Sequence, residues 1–354
     1  MRTFGINGFG RIGRISCRVW WQHYQDQLDL KMINTSGSME LEEWAHLLKY
    51  DSNYGTFAAE ISTDRHQSKE DVTDENPVLG TLTITSVGRS ATIIVTAQRD
   101  PNKLPWAAHD VEVVLESTGA FNTEEKAAQH LNGGAKFVML SAPAKDGDVS
   151  SSVKGVNSFE PGKKILSNVS CTTNSVAPVM QVIDQVFGIE KAMLTTIHSY
   201  TDNQNTLDNS HKDLRRGRTA AKNIIPTTTG AAKATCKVMP QLQNRFDGMA
   251  MRVPTSVGSI SDLVFLTKQE TTVAAVNEAL INAAAQPQWQ GILAVTDEPI
   301  VSSDIVGRSE SAIVDLSFTM VVAGNLVKIL SWYDNEWGYS HRLMDQIQAI
   351  PTVG

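Results

Sequence analysis

Two residues of this chain could carry covalent chemistry. Cys171 lies in the run Ser170-Cys171-Thr172-Thr173-Asn174, just ahead of apolar residues at helical spacing (Val176, Val179, Met180, Ile183, Val186, Phe187), with Gly188 as a stop. A thiol at a helix start meets unpaired backbone N–H groups and the positive end of the helix dipole, both of which favour the thiolate. Pro178 is awkward inside such a helix and predicts a late start or one lost hydrogen bond. His198 follows the strand-like run Met193 to Ile197. An imidazole beside Cys171 could take its proton and hold the thiolate as an ion pair. Taken singly, a cysteine is more often a buried thiol and a histidine more often structural; spacing along the chain does not show that the two meet.

A second set of residues suits a dinucleotide. Gly8-Phe9-Gly10-Arg11-Ile12-Gly13 follows the strand-like Thr3 to Ile6 and opens a helical pattern from Arg11 to Tyr24. Glycines at this spacing permit a tight turn and a close approach of backbone to pyrophosphate, and the helix N-terminus adds N–H donors. The acidic residue that commonly closes the second strand, where it accepts from the ribose hydroxyls, is missing. Here the strand Leu28 to Ile33 runs on as Asn34-Thr35-Ser36-Gly37. A carboxylate would repel the 2′-phosphate of NADP, whereas the hydroxyls of Thr35 and Ser36 can donate to it.

Such sites need elements to hold them. The first half alternates strands (Leu28–Ile33, Ala91–Thr96, Val111–Leu115, Lys136–Leu140) with helical segments such as Thr123 to Asn132, stopped by Gly133-Gly134. That alternation predicts an α/β, Rossmann-type domain with a mostly parallel sheet. Ser62 to Gly80 reads as a polar surface excursion without chemistry, and strand-like alternation resumes at Thr81. After Cys171 long alternating runs predict a second, α+β domain built on a mostly antiparallel sheet. A last helical pattern covers Ser340 to Ile350. We expect a dinucleotide-binding domain over residues 1–170 and 336–354 and a catalytic domain over 171–335. With 354 residues and a net charge of −7, nucleic acid or an anionic membrane is not expected as the main partner. Three cysteines and no His or Cys pairs at ligand spacing predict neither a disulfide framework nor a metal site. No apolar run reaches membrane-spanning length and no targeting segment precedes the first strand, so the cytoplasm is the expected compartment.

Motifs in order along nearly the whole chain resemble glyceraldehyde-3-phosphate dehydrogenase: Asn7 to Arg14, Lys49-Tyr50-Asp51-Ser52, Arg99-Asp100-Pro101 with Leu104-Pro105-Trp106, Glu116-Ser117-Thr118-Gly119, Ser141-Ala142-Pro143, the Cys171 segment, His198, and Trp332-Tyr333-Asp334-Asn335-Glu336. Ser175 departs from the pattern, since many members carry a second cysteine there. The resemblance implies oxidation of glyceraldehyde 3-phosphate to an acyl phosphate through a thiohemiacetal and a thioester on Cys171, with His198 as base. It implies that Thr201 and Arg252 hold the substrate phosphate. Ser170, Thr229 and Gly230, with Thr172 and Arg216 nearby, would serve inorganic phosphate. Arg215, Arg216 and Arg218 are otherwise readable as a solvated basic loop.

For the cofactor the resemblance implies Asn7, Gly8, Phe9, Gly10, Arg11, Ile12, Thr35, Ser36, Arg99, Ser117, Thr118, Gly119, Ser141, Asn335 and Tyr339, with Asn335 orienting the nicotinamide carboxamide. It also implies a homotetramer in which the loop Leu207 to His211 reaches a neighbouring subunit's ribose. Ser210 there, where strictly NAD-dependent members typically have proline, together with Thr35 in place of aspartate, favours NADP or dual use of NADP and NAD. An erythrose-4-phosphate-type dehydrogenase shares the Cys–His pair, but the segments around Thr201 and Thr227 to Lys233 follow the glyceraldehyde pattern. A further non-catalytic role, in binding or in redox sensing by the thiol, leaves no mark in the sequence.

Overall fold

The computed structural model describes residues 1–351; the expected C-terminal stretch ends with residues 352–354, which lie outside the described residues. The described chain groups into two compact units. The first takes the chain to Ser151, the segment Phe159–Asn168 and the stretch from Ser340 on; the second holds Ser152–Ser158 and Val169–Tyr339.

In the first unit the chain forms β1 (Arg2–Asn7), α1 (Arg11–Val19) with a wider turn over Trp20–Tyr24, β2 (Leu28–Thr35), α2 (Leu41–Lys49), β3 (Glu60–Arg65), β4 (Val78–Ser86), β5 (Arg89–Ala97), β6 (Val113–Glu116), α3 (Glu124–Asn132), β7 (Phe137–Leu140), β8 (Ser150–Ser151) and β9 (Ile165–Ser167). The nine strands lie in the order β8-β9-β7-β6-β1-β2-β5-β4-β3. Pairing is parallel from β8 to β5 and antiparallel through β4 and β3. The central strands are buried almost throughout, which explains their unbroken apolar texture. Asn7 and Thr35 end β1 and β2 on the same side of the sheet, so the loops that follow them share one edge.

The excursion is shorter than the sequence suggests. Strand β3 runs through Ser62 to Arg65, and β4 begins at Val78 rather than Thr81. The strand went unread because β3 is an edge strand. It buries neither face fully and carries Asp64 and Arg65, charges that protect an edge from pairing with another chain.

The second unit contains α4 (Cys171–Phe187), β10 (Ile189–Ser199), β11 (Ile225–Thr228), α5 (Ala231–Val238), β12 (Phe246–Val253), β13 (Ser259–Thr267), α6 (Val273–Ala284), β14 (Leu293–Thr296), β15 (Ala312–Val322) and β16 (Leu326–Tyr333); α7 (Trp337–Ala349) starts here and continues past Ser340. Strand order is β11-β12-β10-β13-β16-β15-β14, antiparallel except for β12 against β10 and β15 against β14. Met180 and Ile183 of α4, Leu280 of α6 and Leu263, Phe265 and Ile329 of the sheet form one fully buried core. Each such side chain contributes about 1.5–3 kcal/mol through burial. This core fixes α4 on the sheet and so sets where its first residue stands. The helix begins at Cys171 itself, not later; Pro178 is accommodated inside it at the loss of one backbone bond.

Candidate active site

Cys171 is the first residue of α4. Ser170 caps that helix, its Oγ accepting from the Thr173 N–H at 3.0 Å. Just before it, Val169 adopts a left-handed φ of 48°, which costs energy for a β-branched residue. The Tyr339 hydroxyl donates to the Val169 carbonyl at 2.9 Å and helps hold that turn. The Tyr333 hydroxyl lies 2.9 Å from both Thr172 Oγ1 and Thr196 Oγ1, tying the first turn of α4 to β10. These contacts aim Cys171 Sγ at His198 Nε2, 3.5 Å away.

The histidine's other nitrogen, Nδ1, lies 2.7 Å from the Ser199 carbonyl, which can only accept, and beside Arg252 Nη1, which can only donate, so the two contacts favour opposite tautomers. The same carbonyl accepts from Arg252 Nη1 at 2.9 Å, and this guanidinium abuts the imidazole. Burial pushes the Cys171 thiol up, while the Arg252 charge pulls it partly back. Burial, then the Arg252 charge, presses His198 down to about 3. Burial disfavours the charged form of both groups, so it opposes the ion pair expected from sequence, while the Arg252 charge and the backbone N–H groups at the helix start favour the thiolate.

Arg252 stands opposite His198 in the β12–β10 register. Among the described residues it makes no ion pair, and its buried Nε has no hydrogen-bond partner. Burial lowers its pKa from the usual arginine range, as expected for a cation without a carboxylate. Thr201 N–H and Oγ1 both bond to Gln204 Oε1, at 2.9 and 3.3 Å, and Gln204 Nε2 is buried with no partner. The start of α5 adjoins that of α4, with Thr173 Oγ1 3.5 Å from the Ala231 carbonyl. At Gly230 a Cβ would meet nothing within 4 Å, so the start of α5 is open; Thr229 Oγ1 accepts from the Ala231 N–H at 3.2 Å. Arg216 is anchored near that opening, Nε donating to Thr227 Oγ1 at 2.8 Å with Asp213 at 3.4 Å. Arg215 and Arg218 are exposed, and Arg218 is paired with Asp208 at 3.0 Å, so of the three arginines Arg216 alone is held at that opening.

In the first unit the glycine-rich turn is open where a dinucleotide pyrophosphate would lie. A Cβ at Gly10, ahead of α1, would meet nothing within 4 Å, and the first turn of α1 carries no acidic residue. Gly8 has a φ of 97°, and a Cβ there would strike the Thr118 nitrogen at 2.8 Å; one at Gly13 would strike the Gly8 carbonyl at 2.1 Å. These residues fit a dinucleotide. Ser117 Oγ donates to the Gly8 carbonyl at 2.8 Å, and the Ser141 N–H bonds to the Glu116 carbonyl at 3.0 Å. Gly119 has a φ of 74° and open space at its Cβ position. Phe9 is buried against Trp44, and Ile12 lies in the first turn of α1. Arg11 spends its guanidinium on Asp51 and the Tyr54 ring. Arg99 is exposed after β5. Asn335, in the second unit, accepts through Oδ1 from Ser199 Oγ, the Gly258 N–H and Ser259 Oγ at 3.0–3.1 Å, which leaves Nδ2 to donate.

Thr35 requires a correction. It is 2% exposed and its hydroxyl donates to the Thr96 carbonyl at 3.0 Å, so it has no donor to offer a 2′-phosphate. Ser36 is exposed, with its Oγ 2.9 Å from Ser38 Oγ, as is Ser210 in the second unit.

The NAD-binding domain of glyceraldehyde 3-phosphate dehydrogenase matches residues 2–124, and the C-terminal domain of the same enzyme matches residues 170–335. The chain is 48% identical over 344 residues to glyceraldehyde-3-phosphate dehydrogenase 2 of Streptomyces avermitilis, covering 96% of each. It is 46% identical over 353 residues to glyceraldehyde-3-phosphate dehydrogenase of Geobacillus stearothermophilus, covering 99% of this chain and 98% of the other. The chain belongs to the glyceraldehyde-3-phosphate dehydrogenase family. It catalyses the oxidative phosphorylation of glyceraldehyde 3-phosphate with NAD(P) as cofactor. No helix among the described residues is long and apolar enough to cross a membrane, and no group of three or more His, Cys, Asp or Glu among them could hold a metal.

This dehydrogenase also has a buried network that sequence reasoning missed. Glu116, at the end of β6, accepts from Asn7 Nδ2, from the Thr118 N–H at 2.7 Å and from His130 Nε2 at 3.0 Å. Trp106 Nε1 can only donate, and it donates to His130 Nδ1 at 3.2 Å, so the His130 proton is on Nε2, facing Glu116. One buried carboxylate thus ties the Gly8 turn to the Thr118 turn. No spacing rule pairs Glu116 with a histidine on α3.

A pH expectation follows from the thiol. With its pKa raised, the thiolate fraction at a given pH is lower than for an ordinary cysteine. Iodoacetamide labelling of Cys171 in the cofactor-free enzyme, followed by peptide mass spectrometry, should still be climbing above about pH 8.5, the ordinary thiol value. Arg252→Gln should slow it further, because that charge stabilises the thiolate. A rate already flat near neutral pH would show a resting ion pair instead.

Proposed function

We propose that Cys171 is the nucleophile and His198 its base; what carries this reading is Sγ 3.5 Å from Nε2 at a helix start, beside an arginine without an ion pair. As Sγ bonds to the aldehyde carbon, the thiol proton passes through Nε2 to the carbonyl oxygen, giving a neutral thiohemiacetal. When bound, the nicotinamide ring supplies the hydride acceptor. His198 Nε2 takes the hydroxyl proton as the C–H bond breaks, and a thioester remains on Cys171. Inorganic phosphate attacks that thioester, the C–S bond breaks, and His198 returns the proton to the thiolate.

Arg252 and Thr201 bind the substrate phosphate. Ser170, Thr229 and Gly230 bind the attacking phosphate, with Thr172 and Arg216 nearby. Asn335 Nδ2 donates to the nicotinamide carboxamide, and Tyr339 acts through the Val169 turn. The dinucleotide lies on Asn7 to Ile12, Ser117 to Gly119 and Ser141, with Ser36 and Arg99 toward its ribose, while Ser210 reaches toward the ribose of a neighbouring subunit's dinucleotide.

The enzyme assembles as a homotetramer. Met193, Val264, Lys328 and Met320 are cross-strand neighbours in one row of the sheet, and Met193 and Met320 are 66% and 50% exposed. Phe318 and Val322 add further exposed apolar surface on β15. Cytoplasmic residence fits the three free thiols.

NADP is the favoured cofactor, because the end of β2 carries no carboxylate and Ser36 and Ser210 offer hydroxyls. The test compares kcat/KM for NADP and NAD in the wild type and in Thr35→Asp combined with Ser210→Pro. The wild type should favour NADP and the double variant NAD. A strong NAD preference in both would overturn the cofactor assignment.

A further inference from the structure

The excursion between β3 and β4 had no assigned role, yet the fold brings it to the dinucleotide edge. Glu40, the residue capping α2, gathers it in. Its carboxylate accepts from Ser68 Oγ at 3.0 Å and from the Lys69 N–H at 3.2 Å, and lies 3.3 Å from Arg65 Nη1. With its backbone so held, Lys69 extends its ammonium to the Ser38 carbonyl at 3.3 Å. Ser38 is two residues beyond Ser36, and the two hydroxyls are 2.9 Å apart. Both serines are exposed and follow Thr35 at the end of β2, the place where dinucleotide-binding folds read the adenosine ribose.

Lys69 makes no ion pair among the described residues, and one carbonyl occupies only one of its three donors. Of the excursion's acids, Asp74 is drawn off to Lys103 and to Gln98. Glu70 and Asp71 oppose an anion and limit the gain. The sequence shows no arginine after Thr35 to meet a 2′-phosphate; the structure supplies a cation from more than thirty residues away.

We propose that Lys69 is a specificity-determining residue, its ammonium recognising the 2′-phosphate of NADP together with the Ser36 and Ser38 hydroxyls. The inference rests on the reading that this enzyme favours NADP.

The test measures equilibrium binding of NADP⁺, NAD⁺ and 2′,5′-ADP to the full-length protein by calorimetry, in the wild type, Lys69→Gln and Lys69→Arg. In Lys69→Gln, NADP⁺ and 2′,5′-ADP should bind about tenfold more weakly, as expected for loss of one charge-assisted contact at an exposed site. Its NAD⁺ affinity should stay unchanged, which also reports an intact fold, and Lys69→Arg should retain NADP⁺ binding. If the wild type prefers NADP⁺ and Lys69→Gln keeps the same NADP⁺-to-NAD⁺ ratio, Lys69 is not the determinant. Equal weakening of both cofactors overturns the inference as well. A wild type that binds NADP⁺ no more tightly than NAD⁺ overturns the NADP reading and, with it, this one.

Discussion

Cys171→Ala should abolish aldehyde oxidation, with a loss on the order of 10⁴-fold or more, since no other group on the chain takes over the covalent bond to the substrate. Dinucleotide binding should persist, because the glycine-rich turn and its Glu116 network lie in the other unit of the chain. His198→Asn should be milder, about 10²–10⁴-fold in kcat, the usual contribution of a positioned base. The order of severity matters. His198 has Nε2 toward sulfur and Nδ1 fixed on the Ser199 carbonyl, so asparagine removes a proton acceptor but leaves the nucleophile. A Cys171→Ala enzyme with wild-type rates at saturating cofactor would remove the covalent mechanism.

Arg252→Ala should carry the second large effect. Its guanidinium makes no ion pair among the described residues and its Nε is buried without a partner, so a substrate phosphate would complete its interactions. Losing one partner of such a charged pair costs about 2–5 kcal/mol, or roughly 30- to 5,000-fold in kcat/KM. Most of the loss should sit in KM, with some in kcat because the phosphate helps hold the carbonyl over Cys171. Initial rates against glyceraldehyde 3-phosphate concentration separate the two. Unchanged kinetics would move the substrate phosphate elsewhere.

Much of this was legible in the sequence, because local rules governed it. The turn at Gly8 needs a positive φ and Gly13 must lie against the Gly8 carbonyl, so the glycine spacing carries its own explanation. The residues of β6 and β7 are buried throughout, and their apolar runs read correctly as strands. Where neighbours distant in sequence decide, the reading fell short. The hydroxyl of Thr35 was expected to face a ligand, but Thr96 on the adjacent strand takes it. The thiolate was expected from the helix start and a neighbouring histidine, but burial and the charge of Arg252, contributed by residues distant in sequence, also act on the pair. Lys69 was passed over because nothing near it in the sequence shows that Glu40 holds its backbone beside the end of β2.

The most direct test of the covalent mechanism is single-turnover formation of reduced cofactor with glyceraldehyde 3-phosphate, with and without inorganic phosphate. Without phosphate the account predicts one equivalent of reduced cofactor per Cys171, then a stall, with the acyl group found on the Cys171 peptide by mass spectrometry. Adding phosphate should restart turnover. Steady turnover at the same rate in the absence of phosphate, with Cys171 unmodified, would contradict it.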